Sequence, residues 1–164
     1  MQASLIRLPL LRLSLLAMVV CGVADPVSAE TGQTAVTEHR RAAEAALQDR
    51  EYKTAAAEYR RAAALSDDPD IARQATRVAF TYGFDEDALA AALRWSELDA
   101  GSDEALLYLA QLQLRSGELR DARRSFGILL DRSNAPPDDR LLALVPILSR
   151  EDPEAAYRVI SQLA

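Results

Sequence analysis

Apolar residues recur at steps of three and four from about Thr34 to the end of the chain. This spacing places side chains on one face of an α-helix, and no run of alternating β-branched residues indicates a strand. Asp68 before Pro69 and Asp152 before Pro153 are typical helix starts, because the aspartate caps free N–H groups and proline suits the first turn. The pattern predicts an all-α protein, with helices at about 35–49, 52–65, 69–82, 86–99, 103–116, 118–132, 137–149 and 153–163.

Pro146 lies inside the seventh predicted helix. Because proline removes one backbone donor and its ring clashes with the preceding turn, we expect it to kink that helix.

The helical pattern also repeats along the chain. The segments EYKTAAAEYRRAAALSD, FDEDALAAALRWSELDA and ELRDARRSFGILLDRSN align so that one small position returns 33 and then 34 residues later. This position is occupied by Ala55, Ala88 and Ala122. Gly83 and Gly117 each stand five residues before their alanine, where a helix can end on a left-handed glycine, and Arg50 stands in the matching place.

A helix-turn-helix unit with this period, turn glycine, alanine and aromatic residue resembles the tetratricopeptide repeat, or TPR. The resemblance implies antiparallel helix pairs stacked as a right-handed superhelical solenoid. The residues that carry it are Tyr52, Ala55, Tyr59, Ala62, Gly83, Ala88, Ala110, Gly117, Ala122 and Phe126. The chain departs from the pattern at Trp95 and Leu129, which occupy the last small position of the second helix, and at Arg50. Trp95 is expected to fill the joint between repeats.

The predicted organisation begins with a signal peptide and ends with an irregular pair of helices. In chain order it comprises a signal at 1–29, a short linker at 30–36, three repeats over 37–132 (about 36–67, 69–100 and 103–134), a linker at 133–138 and a partial or degenerate fourth pair at 139–164.

The N-terminal segment has the pattern of an export signal. Arg7 and Arg12 precede an apolar run, and Val27-Ser28-Ala29 supplies the small residues of a cleavage site. A membrane anchor is disfavoured because Arg12 interrupts the apolar stretch, which would need roughly 18 residues to span. We therefore expect an exported, periplasmic protein, and no membrane span after signal removal. In the alternative, Cys21 is lipidated and tethers the protein to the outer membrane.

Composition excludes several classes of function. The net charge is −6, and removal of residues 1–29 takes away two arginines and one aspartate, which makes the chain more acidic by one unit. An acidic chain argues against nucleic acid as a partner. Cleavage would also remove Cys21, the only cysteine, and His39 is the only histidine, so we expect no disulfide and no metal site. No nucleotide-binding or catalytic motif occurs, so we expect neither enzyme activity nor a cofactor.

The TPR resemblance implies a concave groove, lined by the first helix of each pair, that binds a protein or peptide. The residues at inward-facing positions are Arg40, Glu44, Arg73, Arg77, Phe80, Leu107, Gln111 and Leu114. Arg73 and Arg77 share one helix face and could hold a carboxylate of an acidic peptide, although a solvated charged face is the alternative. The lysine and asparagine of chaperone-binding TPR domains are not found, which makes chaperone C-termini poor candidates.

Residues 38–130 also resemble the opening repeats of proteobacterial envelope TPR proteins. Some of these, often lipoproteins, are adaptors that present substrates to a carboxyl-terminal processing protease. Two alternatives remain open: the chain is the N-terminal part of a longer TPR protein, or it is an assembly module. In the second case, homo-oligomers would form through the C-terminal helix, where Val159, Ile160 and Leu163 have nothing after them to cover them.

Overall fold

The computed structural model describes residues 26–163, and over that range the chain forms eight α-helices and no strand. The helices are α1 (Pro26–Gln48), α2 (Tyr52–Ala64), α3 (Pro69–Thr81), α4 (Asp85–Leu98), α5 (Asp103–Arg115), α6 (Leu119–Arg132), α7 (Pro137–Leu148) and α8 (Pro153–Ile160). The all-α prediction is confirmed, and each predicted helix is present.

The largest difference from the prediction lies at the start of α1. The stretch 30–36, predicted as a linker, is helical because α1 already begins at Pro26. Val36 is only 3% exposed and packs in the core, and the Thr37 hydroxyl donates a 2.9 Å hydrogen bond to the Gln33 carbonyl. Cys21 and most of the predicted signal lie outside the described residues, whereas the predicted cleavage site after Ala29 lies within α1.

Three turns that join the helices in pairs have the same backbone conformation. Each of these turns contains one residue in the left-handed region: Arg50 after α1 (φ 60°), Gly83 after α3 (φ 76°) and Gly117 after α5 (φ 77°). In each turn the next N–H reaches back five residues: Glu51 to Ala46, Phe84 to Ala79 and Glu118 to Gln113, at 2.8, 2.9 and 2.8 Å. A left-handed residue followed by this hydrogen bond is characteristic of a Schellman turn. The turn recurs at the spacing of the sequence repeat.

Two of the three links between pairs use side-chain caps, whereas α7 begins after Pro136 without one. The Asp68 carboxylate accepts from the N–H of Asp70 at the start of α3, and the Ser102 hydroxyl accepts from the N–H of Ala105 at the start of α5. Each cap satisfies an N–H that the first helical turn leaves free. The local sequence therefore determines where the second and third pairs begin.

Helices α1 to α6 pack in sequence order, α7 packs on α8, and α2 also packs on α4 and α6 on α8. The small positions of the repeat are fully buried: Ala55, Ala62, Ala88, Ala110 and Ala122 are all 0% exposed. Tyr59 and Phe126 are the largest fully buried side chains. Helices therefore approach closely over alanine, and single aromatic rings fill the wider spaces between them.

Trp95 fills a joint between helix pairs, as its position predicts. It is 2% exposed and belongs to the same core cluster as Val36, Tyr59 and Ile71, which come from α1, α2 and α3.

The last helix pair differs from the sequence prediction at its C-terminal end. Helix α7 includes Pro146 within its bounds. Val159 is 1% exposed, and Ile160 and Leu163 pack against a core cluster that also contains Phe126 and Leu144. The expectation that these three C-terminal residues stand uncovered is therefore wrong, because α8 turns its apolar side toward α6 and α7.

Among the helices of residues 26–163, none combines the length and apolar character needed to cross a membrane.

Candidate functional site

The predicted groove residues lie on the first helix of each pair, and we call the side of α1, α3 and α5 that carries them the first-helix face. Helices α3 and α5 meet there directly. The Arg77 guanidinium contacts Glu104, and the rings of Phe80 and Tyr108 lie edge to face with their centroids 5.0 Å apart. The structure therefore brings two of the three α3 candidates, Arg77 and Phe80, together with residues of α5.

The candidates differ in how much surface they offer. Arg40 and Glu44 are exposed on α1, whereas Phe80, Leu107 and Gln111 are half-buried. Leu114 is only 3% exposed and packs with Phe126 and Leu144, so it belongs to the core instead of the groove. Leu114 thus faces α6 and α7, whereas the prediction directed it toward a ligand.

Both arginines proposed to hold a carboxylate already contact carboxylates of this chain. Arg73 lies 2.9 Å from Asp70, and Arg77 donates from Nε and Nη2 to the same oxygen of Glu104, at 3.0 and 2.6 Å. The hydrogen bond to Glu104 raises the pKa of Arg77. All four side chains keep more than a third of their surface in water, so each ion pair stabilises the fold by only about 0–1 kcal/mol. A ligand carboxylate can therefore exchange with them at little cost.

Arg115 forms a second charged centre next to this pair. Its Cζ lies 4.5 Å from the centre of the Phe80 ring, in cation–π range. Nε and Nη2 bind the two oxygens of Glu151 at 2.8 and 2.9 Å, and Nη1 lies 3.3 Å from Asp85. The hydrogen bond to Glu151 raises the pKa of Arg115. This one side chain joins α3, the start of α4, and the link between α7 and α8.

Sequence reasoning missed Tyr108, Glu104 and Arg115 as residues of this face. The signal was present as the stripe 104, 108, 111 and 115, which follows helical spacing. It shares position 111 with the predicted stripe but has 108 and 115 in place of 107 and 114. Glu151 had no such signal, because it lies 36 residues from Arg115 and meets it only in the folded chain.

At the α1 end of the face, a tyrosine hydroxyl lies among polar groups. Gln74 donates a 3.0 Å hydrogen bond to the hydroxyl of Tyr59, whose ring is buried. Burial raises the pKa of Tyr59, the charge of Glu44 raises it further, and Arg40 opposes both. The α1 candidates therefore lie close to the polar end of a core residue.

His39 contributes to packing of the first pair. Its Nδ1 lies 2.6 Å from an oxygen of Glu58, which joins α1 to α2. Within residues 26–163, no group of three or more histidine, cysteine, aspartate or glutamate side chains is arranged to hold a metal ion.

Comparison of the chain with protein-family models, with curated proteins and with solved structures finds no match. The function proposed below therefore rests on the geometry of the first-helix face and on the sequence.

Proposed function

We propose that this protein is a non-catalytic scaffold of the TPR type, which binds a segment of another protein along the first-helix face. The observation that carries the proposal is the row of exchangeable contacts where α3 meets α5. Arg77 and Arg115 lie there beside the rings of Phe80 and Tyr108, and the ion pair of Arg77 with Glu104 is exposed. The recurrence of one turn at Arg50, Gly83 and Gly117 supports the repeat assignment.

The proposed ligand is an extended or helical segment that carries an acidic side chain. Its carboxylate replaces Asp70 on Arg73, or Glu104 on Arg77, and accepts the paired donors of the guanidinium group. The half-buried rings of Phe80 and Tyr108 provide apolar contact next to these charges. Such a face binds proteins without needing a cofactor or a catalytic residue.

The cellular role that we propose is that of an exported adaptor, which presents substrates to an envelope protease. The support is the N-terminal signal pattern of residues 1–29 together with the acidic, alanine-rich helix pairs that follow. Mass spectrometry of the native N-terminus tests the export step. A chain beginning at Glu30 is expected, a lipidated Cys21 would identify a tethered protein, and an intact Met1 would contradict export.

Affinity capture from an envelope extract tests the binding face. Reversing the charge of both arginines, with Arg73→Glu and Arg77→Glu, is expected to reduce recovery of bound proteins at least tenfold, because a ligand carboxylate would then meet like charges.

A matched control lies on α6. Arg120 and Arg124 are both exposed and also one turn apart, and Arg124 contacts Asp121 as Arg73 contacts Asp70. Arg120→Glu with Arg124→Glu is expected to leave recovery unchanged. Equal recovery by the wild type and the α3 variant would contradict the proposed face, as would the absence of any protein captured by the wild type.

A further inference from the structure

The last helix pair carries a group of exposed apolar side chains. Leu142, Val145 and Tyr157 are 63%, 49% and 72% exposed. The other exposed large apolar residues of the described chain are spread along it from α2 to α6: Leu65, Tyr82, Leu93 and Ile128. Single apolar residues on a surface need no explanation, but a contiguous group marks an interaction site.

These side chains form one continuous surface over two helices, which we call the α7–α8 face. Leu142 and Val145 share a stripe of α7, because they are three residues apart. Between this stripe and α8 lies a cavity of about 280 Å³, lined by Val145, Leu148, Pro153, Ala156, Tyr157 and Ile160. Besides the tyrosine, the lining contains one side chain with a polar group, Ser149, whose hydroxyl donates to the Pro146 carbonyl. The lining therefore favours an apolar occupant.

The rim of this surface carries both signs of charge. Glu154 and Arg158 stand one turn apart on α8 and contact each other, and Tyr157 lies beside them. A partner of a single sign would meet one like charge at this rim. A copy of α8 running antiparallel would instead place an opposite charge against each residue, since Glu154 faces the partner's Arg158 and Arg158 faces the partner's Glu154.

We infer that the α7–α8 face binds a second copy of this chain, with the two α8 helices antiparallel about a two-fold axis near Tyr157. The two tyrosine rings lie at the centre of the interface, and Leu142 and Val145 of each copy cover the apolar end of the other α8. The charges at the rim set the antiparallel direction. This surface differs from Val159 and Leu163, which pack within one chain, whereas Ile160 both lines the cavity and contacts the core cluster.

The size of the face limits the strength of the association. Helices of 12 and 8 residues are about 18 and 12 Å long, and with helix diameters of about 10 Å they offer roughly 300–400 Å² per copy. Stable dimers bury about 800 Å² per partner. The dimer is therefore weak, and monomer and dimer coexist at ordinary protein concentrations.

Sedimentation equilibrium over a wide concentration range tests this inference. The weight-average mass of the purified chain is expected to rise with concentration and to level off at twice the monomer mass. Tyr157→Glu is expected to remain monomeric, and its side chain is 72% exposed, so the fold is retained. Leu93→Glu on α4, at another exposed apolar residue, is expected to associate like the wild type.

A charge exchange tests the two-fold geometry. Arg158→Glu is expected to weaken association at least tenfold because Glu154 then faces an acidic residue, and the further change Glu154→Arg is expected to restore it. Thermal unfolding of each variant establishes that it is folded. The inference would be overturned if the wild type stayed monomeric, if its mass rose past that of the dimer, or if Tyr157→Glu still dimerised. It would also be overturned if the double exchange variant were folded but did not associate.

Discussion

The first three helix pairs and the last pair are joined by different turns. Arg50, Gly83 and Gly117 take the left-handed conformation between the helices of the first three pairs, and each turn closes with the same hydrogen bonds. Between α7 and α8 no described residue has a positive φ, and Asp152 caps α8 by accepting from the Ala155 N–H. The regular pairs present small residues to each other, whereas the last pair leaves large apolar residues uncovered.

Local residue preference determines the conformation of these turns only in part. Glycine has access to the left-handed region at no steric cost, yet Arg50 adopts the same conformation with φ 60°. The packing of α1 on α2, with Ala43, Tyr59 and Ala62 in one cluster, holds the first turn in this form. Where the last pair packs α8 on α6 as well as α7, the repeated turn is absent.

The largest effect is expected at the small positions of the regular pairs. Ala55 is 0% exposed, so Ala55→Leu overpacks the first pair and lowers the free energy of unfolding by about 1–3 kcal/mol. Chemical denaturation measures the change. Ala143→Leu on the exposed side of α7 is the matched control and is expected to change stability by less than about 0.5 kcal/mol. Equal stability of the two variants would contradict close packing at Ala55.

A smaller effect is expected where the last pair is attached to the others. Glu151 is 5% exposed in its side chain and binds Arg115 through both oxygens. Glu151→Ala is expected to cost about 1.5 kcal/mol, the lower end for hydrogen bonds to charged groups, because Arg115 keeps 28% of its side chain in water.

Amide hydrogen exchange locates this effect. Faster exchange is expected in α7 and α8, with α1 to α4 unchanged. Glu154→Ala removes an exposed pair with Arg158 and serves as the control, with an expected cost of about 0.3–0.5 kcal/mol. If both variants lost the same stability, Arg115 would not be the link between the two regions.

The smallest effects are expected at the turns themselves. Arg50→Gly is expected to raise the free energy of unfolding by about 0.5–1 kcal/mol, because it removes the steric strain of an arginine in the left-handed conformation. The greater flexibility of glycine in the unfolded chain offsets part of this gain. Gly83→Ala is expected to lower it by about 1 kcal/mol, and since no atom lies within 4 Å of the added Cβ, the cost comes from the backbone alone. Changes of the same sign at the two positions would show that the turns are not equivalent.

The sequence predicted those features that depend on short-range chemistry. Helix starts at Pro69 and Pro153 and the turns at Gly83 and Gly117 follow from local caps and backbone conformation, and the alignment correctly placed Arg50 among the turns. Contacts between distant residues were not predicted. The inward rotation of Val159 depends on how α8 packs against α6 and α7, and the Arg115–Glu151 pair depends on where the link before α8 meets α5; helical periodicity specifies neither.

The central claim is that a protein partner binds the first-helix face, and photo-crosslinking in the native compartment tests it most directly. A photoreactive residue is placed at Thr81, which is exposed one turn after Arg77, and in a second variant at Ala90, which is exposed on α4. The proposal predicts a discrete adduct with another protein from position 81 that disappears when Arg73 and Arg77 are reversed to glutamate, and none from position 90. No adduct from position 81, or the same adduct from both positions, would contradict it.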